Sequence, residues 1–192
     1  CGLSRDASKE EILERINNNT ITDILNKIEV KAGDVVMVKA GTIHAIGAGV
    51  FICEIQQNSN CTYRMYDYDR RDKFGNPREL HVKKALDVVD NHKYIKDNKT
   101  EVVIARNEHF TEERLVQCKY FEVYKYDVND EAKITVDEAS FVSVLFINGS
   151  GTIETDDYEK TMEIKAGDSF FVCAGLRSII IKGQATMVVT RV

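Results

Sequence analysis

VKAGDVVMVKAG at residues 30–41 and IKAGDSFFVCAG at residues 164–175 are one phrase written twice, 134 residues apart in a chain of 192. Two copies at this separation imply two similarly built halves. In each, a short apolar run lies between a Gly-Asp turn and an Ala-Gly turn, the pattern of strand, turn and strand. The copies then diverge. The first continues Thr42-Ile43-His44-Ala45 and the second Leu176-Arg177-Ser178-Ile179. A histidine stands three residues past the glycine in one copy, and a serine takes its place in the other. One half carries a side chain that can bind a metal or move a proton. The other keeps the scaffold without it.

Working outward, Ser8-Lys9-Glu10-Glu11 reads as a capping box opening a helix, with Ile12, Leu13 and Ile16 on one face. Ile21, Ile24, Leu25 and Ile28 recur at helical spacing and predict a second short helix. From Val30 the period changes. Val35–Val38, Val50–Gln57 and Cys61–Asp69 read as strands, 70–78 as a loop around the only proline, and Leu80–Asp90 as a helix with Leu80, Lys84 and Val88 on one side. Further on, Val102–Ala105, Leu115–Asp127, Ala132–Val136, Phe141–Ile147, Gly151–Thr155, Lys160–Ile164, Ser169–Cys173, Arg177–Ile181 and Ala185–Arg191 read as strands. Short strands broken by Gly, Asn and Asp predict an antiparallel sandwich or barrel. The expected fold class is mainly β, with two jelly-roll-like lobes and a few short helices. The expected organisation is an opening helical segment at 1–29, a first lobe at 30–90, a polar connector at 91–100 and a second lobe at 101–192.

Composition narrows the function. With 43% hydrophobic and 30% charged residues, the chain can bury a core and remain soluble. No apolar run approaches the ~20 residues that span a bilayer, which argues against a membrane partner. A net charge of −5 without a dense basic block argues against nucleic acid. The cysteines Cys1, Cys53, Cys61, Cys118 and Cys173 are scattered, odd in number and without a CxxC pair. Reduced thiols and a cytoplasmic protein are expected.

Gly33, Lys39-Ala40-Gly41 and His44 have the spacing of the second cupin motif, in which a glycine turn returns a histidine into a β-barrel. Lysine stands at 39 where proline is usual. The stretches AGTIHAIGAG at 40–49, EIQQNSNCTYRMYDYDR at 54–70 and GNPRELH at 75–81 resemble the type I mannose-6-phosphate isomerases, particularly their short bacterial branch. The resemblance implies a pair of cupin lobes and a zinc-dependent interconversion of mannose 6-phosphate and fructose 6-phosphate, with a phosphosugar as substrate. It implies that His44 is a metal ligand, that Arg64 is the active-site arginine and that Glu54 is an acidic residue of the same pocket.

The residues support such chemistry independently. Glu54, Gln56, Thr62, Arg64, Tyr66 and Tyr68 share parity within their segments, so a hairpin would turn Glu54 and Arg64 to one cavity. An aldose–ketose isomerase moves a proton between C1 and C2 and stabilises charge on the enediolate oxygens. A carboxylate or histidine serves as base, and a cation or arginine stabilises the oxyanion. The plain alternatives are a cross-strand ion pair for Arg64 and Glu54 and a packed strand face for the tyrosines. His81 reads as structural, and His92 and His109 as solvated. Asp67, Asp69 and Asp72 lack the spacing of a calcium loop and read as a charged hairpin edge.

The upstream ligand motifs of the resembling family, Gln-Val-His-Pro and a Lys-Thr-Glu string, do not occur. A catalytic zinc usually takes three protein ligands. The expectation is therefore a carboxy-terminal piece of an isomerase, with the remaining zinc ligands upstream of residue 1. The alternative is a metal-free cupin binding or interaction module. Oligomeric state is not encoded in any feature of the sequence.

Overall fold

Ser8 begins the first helix as its capping pattern predicts. The structure is a computed structural model that describes residues 1–59, 61–96, 102–156 and 158–192. Helix α1 runs Lys9–Asn17, and the Ser8 hydroxyl accepts from the Glu11 N–H at 3.1 Å. Glu11 does not reach back to close the box. Its carboxylate takes Arg5 at 3.0 Å and Arg15 at 2.8 Å, since guanidinium partners bind a carboxylate more strongly than a neutral amide does. Arg5 and then Arg15 hold its pKa down at about 2.

The expected second helix is a 3-10 turn, Ile21–Ile24. Leu25 is drawn into a bridge with Leu3, and the Asn26 N–H donates to Gly2 O at 3.0 Å, so tertiary pairing ends the helix before it can continue. Helix α2 spans Val82–Val88. It buries Ala85, with Val82 and Leu86 packed beside it, whereas Leu80, Lys84 and Val88 are exposed.

Two compact units divide the chain at Lys96 and Asp97. The first has its own core of Leu3, Ala7, Ile12, Ile16, Ile21, Ile24, Met65, Ala85 and Val89. Residues 91–96 return to its start: the Ala7 N–H donates to Asn91 O at 3.0 Å and the Tyr94 N–H to Leu3 O at 2.8 Å. Residues 97–100 of the expected connector lie outside the described residues. Among the described residues, the segments expected as strands at Val35–Val38, Val50–Gln57 and Cys61–Asp69 form no ladder. An extended segment becomes a strand only when a neighbour takes its backbone groups, and among the described residues of 26–80 no pairing goes beyond an isolated bridge between Arg71 and Pro77. Val50, Phe51 and Ile52 are accordingly exposed.

Among the described residues the second unit is an antiparallel β structure of eight strands: β1 Val102–Arg106, β2 Phe110–Gln117, β3 Glu122–Val128, β4 Glu131–Val136, β5 Val142–Thr155, β6 Tyr158–Lys165, β7 Ser169–Val172 and β8 Arg177–Arg191. Its frame is β5 beside β8. The early part of β8 pairs with β4 and its later part with β3, while the early part of β5 pairs with β7 and its later part with β6. The two longest strands therefore each serve two sets of neighbours. The core lies between these sets, with Tyr126, Ile134, Val144, Phe146, Ile153, Ile179, Ile181, Met187 and Val189 almost wholly buried. Alternation places Ala132, Ile134 and Val136 of β4 inward and Glu131, Lys133 and Thr135 outward.

The two glycine phrases form the same turn. Gly33 and Gly167 both sit at φ +92°. The Asp34 carboxylate accepts from the Lys31 N–H at 3.0 Å, and the Asp168 carboxylate accepts from the Lys165 N–H at 2.9 Å. Behind each, the aspartate N–H returns to the lysine carbonyl at 3.1 Å. Gly41 and Gly175 match as well, at φ +83° and +81°. Strands flank only the second copy, where β6 ends at Lys165, β7 follows, and β8 starts at Arg177.

Candidate functional site

The string TYRMYDYDR keeps strand-like alternation without a ladder. Met65 and Asp67 turn into the first unit, whereas Arg64 and Tyr66 are half-buried and Tyr68 is exposed. Tyr66 and Tyr68 meet edge to face with ring centroids 5.0 Å apart, so the shared parity expected of Arg64, Tyr66 and Tyr68 is retained locally.

Arg64 is held by the segment that enters α2. Its Nη1 donates to Glu79 O at 3.2 Å, its backbone N–H donates to His81 Nδ1 at 3.3 Å, and its carbonyl accepts from the His81 N–H at 2.6 Å. His44 is exposed, with Nδ1 at 2.9 Å from Thr42 O. A carbonyl only accepts, so Nδ1 carries a proton, and in the neutral ring Nε2 keeps its lone pair. That is the tautomer a metal-binding imidazole needs, with the second nitrogen fixed by a backbone oxygen. Glu54 is exposed. Among the described residues, no hydrogen bond or ion pair joins His44, Glu54 and Arg64. His44 is placed by Thr42 and Arg64 by Glu79 and His81.

His44 fits as one ligand of a metal. Among the described residues, no group of three His, Cys, Asp or Glu side chains converges to complete a site. These residues alone do not meet the donor set of a catalytic zinc, and no chemical step is assigned to a metal. In the second unit, the position matching His44 is Ser178. It is buried, and its hydroxyl donates to Asp156 at 2.5 Å, while Lys133 Nζ lies 2.7 Å from the same carboxylate. There the position ties β8 to β4 and to the residue after β5.

The carboxylates read as a charged hairpin edge separate in the structure. Asp69 and Asp72 are exposed, and Asp72 closes the 70–78 loop by accepting from the Phe74 and Asn76 N–H groups at 2.8 and 2.9 Å. Asp67 is buried. It binds the Arg78 guanidinium through both oxygens, one contact being Arg78 Nε to Oδ2 at 2.8 Å, and takes Arg70 Nη2 at 2.6 Å. Sequence reading missed this cluster. The available signal was the pair of arginines three and eleven residues after an aspartate of inward parity.

Arg78 and then Arg70 hold the Asp67 pKa at about 2, below an ordinary 3.8. A depressed carboxylate stabilises the fold above its unfolded value and loses that contribution as pH falls through the folded one. Wild-type protein should therefore lose melting temperature between about pH 4 and pH 2 more steeply than Asp67→Asn, which cannot titrate there. Parallel melting curves for the two proteins would remove Asp67 from the account of acid stability.

The second unit, an antiparallel β structure that holds one of the two matching glycine turns, has the character of a cupin domain, and the other turn, in the first unit, is the one followed by His44. The family profile for the cupin domain of mannose-6-phosphate isomerase matches residues 111–192. The chain is 41% identical over 190 residues to the putative mannose-6-phosphate isomerase YvyI of Bacillus subtilis (strain 168), covering 96% of this chain and 57% of that protein. It is 33% identical to the mannose-6-phosphate isomerase ManA of the same organism, covering 95% of this chain and 56% of that protein. A crystal structure of the mannose 6-phosphate isomerase from Bacillus subtilis superposes with a TM-score of 0.88 at 37% identity, covering all of this chain and 59% of that one. Residues 111–192 thus match the cupin domain of that family, and the chain, which is similar to mannose-6-phosphate isomerases along its length, spans somewhat over half the length of these relatives. No helix among the described residues is long and apolar enough to cross a membrane.

Proposed function

We propose that this chain works as the carboxy-terminal portion of an isomerase that interconverts mannose 6-phosphate and fructose 6-phosphate. The observation that supports the reading is the superposition on the Bacillus subtilis isomerase along the whole chain. In this reading the first unit contributes to a metal- and substrate-bearing cupin lobe, and the second is the lobe without a metal histidine. Arg64 places its guanidinium against charge developing on the enediolate oxygens or on the phosphate. Glu54 is the candidate base that takes the C2 proton of the aldose and returns it to C1. His44 would be one ligand of a zinc ion, through Nε2, and the chemistry such an ion would supply is polarisation of the sugar oxygens. The remaining ligands come from residues outside this chain. A cytoplasmic location is part of the same reading.

The test is a chimera in which this chain replaces the matching residues of the 41%-identical relative, assayed for conversion of mannose 6-phosphate to fructose 6-phosphate. Turnover supports the isomerase. A folded chimera without turnover favours a metal-free cupin binding module. The chain by itself should hold zinc weakly, because one imidazole with water and a carboxylate binds less tightly than three or four protein ligands. Metal analysis after dialysis should find well below one equivalent. Stoichiometric zinc would require ligands other than those assigned.

A further inference from the structure

We propose that His81 is a positioning residue for Arg64, acting through its Nδ1 as a fixed acceptor for the Arg64 backbone N–H. The inference rests on the isomerase reading for its catalytic consequence and on geometry alone for the clamp. His81 touches Arg64 from both sides of one residue. Its Nδ1 accepts from the Arg64 N–H at 3.3 Å, and its own N–H donates to the Arg64 carbonyl at 2.6 Å. Two residues earlier, Glu79 O receives the Arg64 guanidinium at 3.2 Å. Backbone and side-chain head of Arg64 are thus tied to a segment that lies 15 to 17 residues away in sequence.

His81 occupies the cap position of α2, and its carbonyl accepts the first helical hydrogen bond, from the Ala85 N–H at 2.9 Å. Its side chain makes no capping bond to that helix. The imidazole is directed to Arg64 instead. Because Nδ1 accepts, the ring proton resides on Nε2. The Glu79 carboxylate is 3.9 Å from Nε2, beyond hydrogen-bond length, and the Tyr63 ring lies beside the imidazole at 6.3 Å between centroids. With only 27% of its side chain exposed, His81 is held in one orientation and transmits it to Arg64. An arginine that stabilises a transition state gains from such placement, since its ordering is complete before substrate arrives.

Asparagine and glutamine separate this role from general packing. The asparagine amide oxygen reaches the place of Nδ1, whereas the glutamine amide lies near the place of Nε2. In the full chain, amide hydrogen exchange followed by NMR should show the Arg64 N–H exchanging about tenfold faster in His81→Gln, the effect of losing one hydrogen bond. His81→Asn should restore slow exchange, and Ala85 and Val89 should be unchanged in both. In the chimera, His81→Gln should lower kcat about tenfold with KM little changed, and His81→Asn should recover most of it. An Arg64 N–H indifferent to His81→Gln, or an asparagine variant that behaves like glutamine, would overturn the clamp. A wild-type chimera without turnover would overturn the isomerase reading, while the exchange comparison would still decide the clamp.

Discussion

Replacing Arg64 by alanine in the isomerase chimera should lower kcat by ~10²–10³ with the melting temperature nearly unchanged, the effect of removing one donor to a developing oxyanion. The stability half of this expectation follows from exposure and partners. Arg64 is half-buried, its guanidinium bonds the Glu79 carbonyl as its one hydrogen-bond partner among the described residues, and its backbone bonds to His81 survive truncation of the side chain. The burial in this segment comes from Met65 and Asp67, which remain. Lysine preserves the charge but loses the planar fork, so Arg64→Lys should recover only part of the rate. Steady-state isomerisation of mannose 6-phosphate, with thermal melts alongside, separates the outcomes. Full activity in Arg64→Ala would falsify the catalytic role. An unfolded Arg64→Ala would instead mark the residue as a tie between the 61–69 segment and the approach to α2.

Gly149→Ala should destabilise the second unit by on the order of 3 kcal/mol, or roughly 10 °C in melting temperature. Two costs combine at this residue. Its φ of +84° is one that an L side chain rarely adopts, and an added Cβ would overlap the Gln184 carbonyl oxygen of β8. The obstruction is backbone, so no rotamer change relieves it. Ala185 Cα, at 2.8 Å from the same point, blocks a small shift. β5 and β8 would have to part where Gly149 pairs with Ala185, in the middle of the longest ladder of the unit. Gly167→Ala is the control. Its φ of +92° carries a similar conformational cost, but nothing lies within 4 Å of the new atom. It should cost only about 1–2 kcal/mol. Equal melting shifts in the two variants would show that conformation alone, without the close approach of β5 and β8, sets the role of Gly149.

Much of the second unit was legible because its signals are local. Alternation in AKITV and TMEIK, the Gly-Asp turns and the apolar runs each point to one conformation, and they lie within or close to the strands observed. The misreadings fall where chain meets chain. Phe141–Ile147 with Gly151–Thr155, and Arg177–Ile181 with Ala185–Arg191, were each read as two strands and are β5 and β8. Glycine at 149, 151 and 183 looks like an interruption from within one strand. In the fold it permits two backbones to approach. Leu115–Asp127, read as one strand, is two, because residues 118–121 turn and the Cys118 N–H returns to Phe121 O at 3.0 Å.

In the first unit the balance is different. Helix α1, its serine cap and the equivalence of the two glycine turns were determined by the sequence, since each depends on atoms a few residues apart. His44 and Arg64 were marked by the strings around them. That Asp67 is buried between Arg70 and Arg78, that Glu11 prefers two arginines to its own helix end, and that His81 holds Arg64 were decided only by tertiary structure. A side chain chooses among partners by their charge, reach and solvation, and partners distant in sequence enter that choice only once the chain has folded. The same holds for the segments expected as strands at Val35–Val38, Val50–Gln57 and Cys61–Asp69. Their residues have strand character, but a ladder requires a neighbour in register, and alternation along one segment does not specify which neighbour that is.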